Sequence, residues 1–174
     1  MGSALVPGDA RRERHETELM RLMQTYGGLL AGLCTAMLQD SHLAQDIVQE
    51  TFLRAWQKLD SLRGGRMSEK AWLCRIALNL CRDHQRTRWF RMVDRRKQPE
   101  DLPLEAAPAD EETANLLEAV RALSPRMREV IVLHYQQDMN AEEMARTLGI
   151  SESAVYRRLR QAREEIKRWL EGAS

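Results

Sequence analysis

No run of about 18 apolar residues occurs anywhere in these 174 residues, which excludes a transmembrane helix. The first 14 residues also lack the apolar centre of a secretory signal, so a soluble, cytoplasmic chain is expected. Aromatic residues make up only 5%, too few for a sheet protein built on aromatic pairs, while Leu, Ala, Arg and Glu recur throughout. That balance predicts an all-α fold. No glycine-rich phosphate loop, HExxH pair or nucleophile elbow is present, so neither catalysis nor a cofactor or small-molecule substrate is expected, and Asp83-His84 reads as helix surface.

Cysteine is scarce and odd in number: Cys34, Cys74 and Cys81. An odd count without an export signal argues against a disulfide framework. Cys74, Cys81 and His84 fall at helical spacing, which a metal could use, but CxxC and HxxxH are both absent. Thiols filling a helical core are the expected reading, with no metal.

The net charge of +1 conceals a strong segregation. Residues 11–98 hold 17 Lys/Arg against 10 Asp/Glu, whereas residues 99–119 hold 7 Asp/Glu and no Lys/Arg. Residues 120–174 are again slightly basic. Two basic bodies flanking an acidic strip are what two contacts with a polyanion would leave in a sequence.

Apolar residues from Leu19 to Met37 recur at helical spacing, and Gly27-Gly28 could bend that helix. Asp40-Ser41 offers a stop and a new N-cap. Leu43, Ile47, Val48, Phe52, Ala55, Trp56 and Leu59 then form the inner stripe of a second helix, opposite Asp46, Gln49, Glu50 and Arg54. After a loop around Gly64-Gly65, Ser68 can cap a third helix that runs on into a basic stretch interleaved with Trp89 and Phe90. Arginines there suit phosphates and the aromatics suit unstacked bases, although a solvated helix end has the same composition. Residues 94–111 carry three prolines and no helical period, so they read as a flexible acidic linker. Two small helical domains follow, residues 14–93 and 112–172, expected to behave as independent bodies.

The second body contains the most informative local pattern. Ser124-Pro125 starts one helix, and Asn140 with Glu143 forms a capping box. Gly149 marks a turn, and Ser151 caps a last helix whose inner stripe is Val155, Leu159, Ala162, Ile166 and Leu170. Its outer face holds Arg157, Arg158, Arg160, Arg163, Lys167 and Arg168, so the helix suited to a major groove is the basic one. This is the pattern of a DNA-binding helix-turn-helix.

Three blocks in this order resemble the extracytoplasmic-function (group 4) sigma factors of bacterial RNA polymerase. Ala44-Gln-Asp-Ile-Val-Gln-Glu-Thr-Phe-Leu-Arg-Ala-Trp56 is similar to the polymerase-binding helix of region 2.2. Trp72-Leu-Cys-Arg-Ile-Ala-Leu-Asn-Leu-Cys-Arg-Asp-His-Gln-Arg86 is similar to regions 2.3 and 2.4, which open and read the minus-ten element. Leu123-Ser-Pro-Arg-Met-Arg-Glu-Val-Ile-Val-Leu133 with the helix-turn-helix is similar to region 4, which reads the minus-thirty-five element. The short linker has no room for region 3.

The resemblance implies a non-catalytic initiation factor whose partners are core RNA polymerase (the β′ clamp helices and the β flap), promoter DNA and an anti-sigma factor. It places polymerase contacts at Asp46, Gln49, Glu50, Phe52 and Trp56, and minus-ten contacts at Arg63, Asn79, Arg82, Arg86 and Arg88. Minus-thirty-five contacts fall at Tyr156, Arg157, Arg158, Arg160, Gln161 and Arg163. An amide at Asn79 can both donate to and accept from a base that has left the stack. The chain departs from the family pattern at Glu69, where an aromatic or large apolar residue is common, and in a slightly long Arg63–Ser68 loop. Its recognition run, Val155-Tyr-Arg-Arg-Leu-Arg-Gln-Ala-Arg163, also differs, so an altered promoter preference is implied. An ordinary transcription regulator with an N-terminal sensor, or a helical scaffold, would also explain the helices. The regulator would leave the Asp46/Gln49/Glu50 face without a purpose, and the scaffold both basic faces.

Overall fold

The computed structural model describes residues 7–63, 65–95 and 110–173, without the side chains of residues 7–9, 63, 89–95 and 173. Most of the expected linker lies outside the described residues. Every regular element among those described is helical.

Helix α1 (Pro7–Leu38) begins well before the apolar period does. Its first turns are polar and are held from outside: Arg11 and His15 both reach Asp60, and Arg12 pairs with Glu16 one turn on, 3.2 Å away. Gly27 and Gly28 do not interrupt it. Gln39, left-handed at φ 57°, ends the helix, and its N–H donates to Thr35 O at 2.8 Å. Asp40 then caps α2 (Ser41–Gln57) by accepting from Leu43 N at 2.9 Å. After the short α3 (Leu59–Arg63), Ser68 Oγ accepts from Ala71 N at 3.2 Å and starts α4 (Glu69–Arg95). Leu22, Leu30, Leu33, Phe52, Leu73 and Leu78 fill the centre of this first body.

The second body opens with α5 (Glu111–Ala122), capped by Asp110, which accepts from Thr113 N at 2.7 Å. That bond holds the Asp110 carboxyl below the usual carboxylate range. Pro125 occupies the first position of α6 (Pro125–Ile131), while the Ser124 side chain makes no capping bond. The chain then widens into a π-helical turn (Val132–Gln136), followed by α7 (Ala141–Leu148) and α8 (Glu152–Ala173).

The expected separation of the two bodies is not what the structure shows. Helix α4 packs against α7, and α1 packs against α6 and the π-helical turn, so the buried apolar residues form one continuous cluster. Gly32 permits the α1 contact: a Cβ there would stand 2.7 Å from the end of the Gln136 side chain. Arg128, 7% exposed, donates to Leu123 O at 2.9 Å and Val120 O at 3.2 Å, to Arg121 O, and across to Met37 O at 3.3 Å. A buried cation is tolerable here because its donors meet the carbonyl ends of two helices, α5 and α1. Desolvation, with Arg121 nearby, lowers its pKa.

Candidate nucleic-acid and protein interfaces

Helix α2 turns its apolar stripe inward and leaves a mixed face outside. Asp46 and Gln49 are exposed, and Glu50, half-buried, pairs with Arg54 at 2.8 Å. Two of the expected contact residues sit deeper. Phe52 is 4% exposed and belongs to the core, because it shares the inward stripe with Ala44, Ile47 and Ala55. It can support the face from behind but cannot touch a partner. Trp56 is half-buried, with the His15 ring edge-on at 5.8 Å between centroids. Leu53, which the sequence reading passed over, is 58% exposed. It lies four residues from Gln49 and three from Glu50, so it puts an apolar centre into the acidic face. The signal was legible: Leu53 is the one large apolar residue of α2 outside the inner stripe.

On α4, Asn79, Arg86 and Arg88 are exposed. Arg86 pairs with Asp83 at 3.2 Å, a surface pair easily exchanged for a phosphate. Arg88 lines a pocket of about 360 Å³ with Ile47, Leu80, Asp83, His84 and Thr87. Arg82 is engaged elsewhere. Its fork meets the Glu129 carboxylate, Nε at 2.6 Å and Nη2 at 2.8 Å, while Nη1 donates to Asn79 Oδ1 at 3.2 Å. Glu129, on α6, is 1% exposed. It too was missed, although an acid inside the apolar run from Met127 to Leu133 marks a buried partner. The side chains of Arg63, Trp89 and Phe90 lie outside the described residues.

The helix-turn-helix forms as its caps require. Glu143 N donates to Asn140 Oδ1 at 2.9 Å, and Asn140 N to Glu143 Oε2 at 3.1 Å. Gly149 makes the turn at φ 68°, a conformation that costs other residues about 1–2 kcal/mol. Ser151 Oγ accepts from Ala154 N at 3.2 Å and starts α8. With Val155, Leu159 and Ala162 buried, Tyr156, Arg157, Arg160 and Gln161 face outward. Among the described residues none of these four pairs with another side chain. Two other positions are turned aside. Arg158 is half-buried near Glu129, its pKa lowered chiefly by desolvation. Arg163 donates from Nε to the Tyr135 hydroxyl at 3.0 Å and lies 5.7 Å over that ring.

Glu69, the departure from the family pattern, has a local reason. It accepts from Arg21 Nη2 at 2.5 Å and from the Tyr26 hydroxyl at 3.1 Å, tying the start of α4 to α1. Desolvation and that bond raise the Tyr26 pKa. Cys34, Cys74 and Cys81 lie in the core. Burial pushes the Cys74 thiol up to about 12, and a hydrogen bond with Cys34 together with burial raises Cys81, so Cys74 and Cys81 stay protonated at neutral pH. His84 lines the α2–α4 pocket and does not join them.

Comparison with known proteins covers both bodies. The Sigma-70 region 2 model matches residues 22–91, and the Sigma-70 region 4 model matches residues 113–166. The ECF RNA polymerase sigma factor SigL of Mycobacterium tuberculosis is 33% identical over 153 residues, covering 84% of this chain and 86% of that protein. The probable RNA polymerase sigma factor RfaY of Xanthomonas campestris is 31% identical over 156 residues, and there the chain spans only 39% of the relative's length. Among solved structures, CnrH in complex with the cytosolic domain of CnrY superposes with a TM-score of 0.69 at 29% identity, covering 91% of each chain. Both bodies thus match the two regions of one family, region 2 and then region 4, and the chain belongs to the extracytoplasmic-function sigma factors of the sigma-70 family.

Proposed function

We propose that this protein binds core RNA polymerase and directs it to promoters, opening DNA at a minus-ten element and gripping a minus-thirty-five element. The observation that carries this reading is the pairing, in one chain, of an exposed acidic face with two outward basic helices. Asp46, Gln49, Glu50 and Leu53 on α2 form a small apolar centre ringed by acceptors, suited to a basic helical partner such as the β′ clamp helices. Trp56 borders that patch and Phe52 supports it. On α4, Arg86 and Arg88 are available to an opened strand, with Asn79 and its hydrogen-bonded neighbour Arg82 beside them and Arg63 at the end of α3. On α8, Arg157, Arg160, Gln161 and Tyr156 point where base edges of a major groove would lie, and Arg158 and Arg163 flank them.

Region 4 also presents an apolar groove of about 930 Å³ between α5, the π-helical turn and α8, with Leu116, Leu117, Tyr135 and Ile166 among its walls. A polymerase flap helix is the occupant the sigma reading assigns to it. Because the solved relative CnrH is held by the cytosolic domain of CnrY, an anti-sigma partner belongs to the same reading. The chain performs no catalysis of its own in this scheme.

Equilibrium binding to core polymerase in the absence of DNA tests the proposal. A sigma factor binds core enzyme alone, whereas an ordinary regulator with the same helix-turn-helix does not. Failure to bind core polymerase, with native helicity retained, would overturn the reading.

A further inference from the structure

We propose that His15 is a positioning residue for polymerase binding: its ring fixes the Trp56 indole at the edge of the acidic face of α2, and Asp60 fixes the ring. The binding half of this statement rests on the sigma reading above; the ring contact does not.

Asp46, Gln49, Leu53 and Trp56 follow one another at spacings of three, four and three residues, so they run along one side of α2. Half-buried Trp56 closes this stripe in the last turn of the helix. A large ring serves an interface best when it already stands in its bound orientation, because little side-chain freedom is then lost on binding.

His15 supplies that hold. On α1 it continues the inward stripe of Leu19, Leu22 and Tyr26, and its side chain is only 15% exposed. A leucine there would serve packing alone. The imidazole instead stands edge-on to the indole, with 5.8 Å between centroids and 86° between planes, a geometry in which aromatic rings attract beyond the area they bury. It also donates from Nε2 to Asp60 Oδ1 at 3.2 Å. A ring held at one nitrogen cannot turn without breaking that bond.

Asp60, at the start of α3, is itself held. Its second oxygen accepts from Arg11 Nη2, and this bond above all keeps the carboxyl below the usual carboxylate range, so the acceptor stays charged at neutral pH. Arg11 and Asp60 are 64% and 54% exposed, so their pairing adds little stability. Its consequence is orientation. The links run from Arg11 to Asp60 to His15 and end on Trp56, which carries the polar first turns of α1 to the border of the polymerase face.

The test uses the full chain with 5-fluorotryptophan at its four tryptophans, the Trp56 signal being identified by its loss in Trp56→Phe. His15→Gln keeps a donor for Asp60 and removes the ring. In the free protein it should shift the Trp56 fluorine signal and leave that of Trp169 in place, and it should lower affinity for core polymerase about three- to tenfold. His15→Phe, which restores a ring without the Asp60 bond, should recover part of that loss. In a Trp56→Ala background, the same His15→Gln change should alter affinity by less than about twofold. Equal losses in the two backgrounds, an unmoved Trp56 signal, or no recovery in His15→Phe overturns the assignment, since a side chain that only steadied α1 would weaken both backgrounds alike. Should His15→Gln lose helicity, Asp60→Ala, altered at an exposed position, decides by the same cycle. An unaltered protein that does not bind core polymerase, with the signal shift as stated, would sink the sigma reading and the binding half of the proposal and leave the ring contact standing.

Discussion

Arg82 on α4 and Arg160 on α8 are both proposed to meet promoter DNA, but the free protein treats them differently. Arg160 stands on an exposed helix face beside Arg157 and Gln161, and no other side chain among the described residues claims it. Arg82 is bound fork-to-fork by a buried carboxylate of the other body. The difference follows from what each helix packs against. α8 buries one stripe, Val155, Leu159 and Ala162, and leaves the opposite face to solvent. α4 is covered on one side by α1 and α2 and on another by α7. An arginine proposed to meet DNA can thus be free on one body and already paired on the other, and the inventory of arginines alone does not tell which.

The largest expected effect is at the polymerase face, on which the sigma reading of both arginines depends. Asp46→Lys with Glu50→Lys should lower affinity for core polymerase by at least about a hundredfold, since like charges replace a complementary patch. Both positions lie off the buried stripe of α2, so circular dichroism should show native helicity. Unchanged affinity would remove the acidic face from the account.

Next in size is the paired arginine itself. Removing one member of a buried pair typically destabilises by about 3–5 kcal/mol when the other stays buried. Arg82→Ala should lose less, because parting of the two bodies lets water reach Glu129. Calorimetry should accordingly resolve two transitions in the variant where the parent shows one. A single transition shifted by the full amount would mean that the bodies cannot separate.

The exposed arginines sharpen the comparison from the other side. Replacing Arg157 or Arg160 with Ala should cost about 1–3 kcal/mol on the preferred promoter and flatten base preference at one position, with guanine the expected base. Arg168→Ala should weaken all sequences alike and reduce the salt slope by about one unit. Arg163, already stacked on Tyr135, should resemble Arg168. If neither Arg157→Ala nor Arg160→Ala changes base preference, the groove is read through its shape.

The smallest effect concerns the scaffold. Asn140→Ala removes the capping box in front of α7 and should destabilise by about 1 kcal/mol in thermal denaturation, with promoter preference unchanged.

Much of this architecture is readable from local signals. Asp40, Ser68, Asn140, Gly149 and Ser151 are caps and turns whose chemistry acts over three or four residues, and each does what its type and spacing imply. The outward set on α8 follows equally directly from the inner stripe. What escaped the sequence depends on distant partners. The first turns of α1 are polar and gain their helix partly from Asp60, 45 to 49 residues away. Phe52 and Leu53 are a different case: the inner stripe already turns Phe52 in and Leu53 out, and the packing of α2 agrees. Glu129 and Arg82 are 47 residues apart, so their pairing, and with it the closed arrangement of the two bodies, leaves no local trace.

The claim beneath all of this is that one chain carries two DNA-reading surfaces used together with core polymerase. Run-off transcription by core polymerase plus this protein on a randomised promoter library tests it most directly. The account predicts transcripts that require the protein and selected sequences converging on two elements at a fixed spacing, the upstream one altered by Arg160→Ala. Transcripts independent of the protein, or selected sequences sharing only one element, would contradict it.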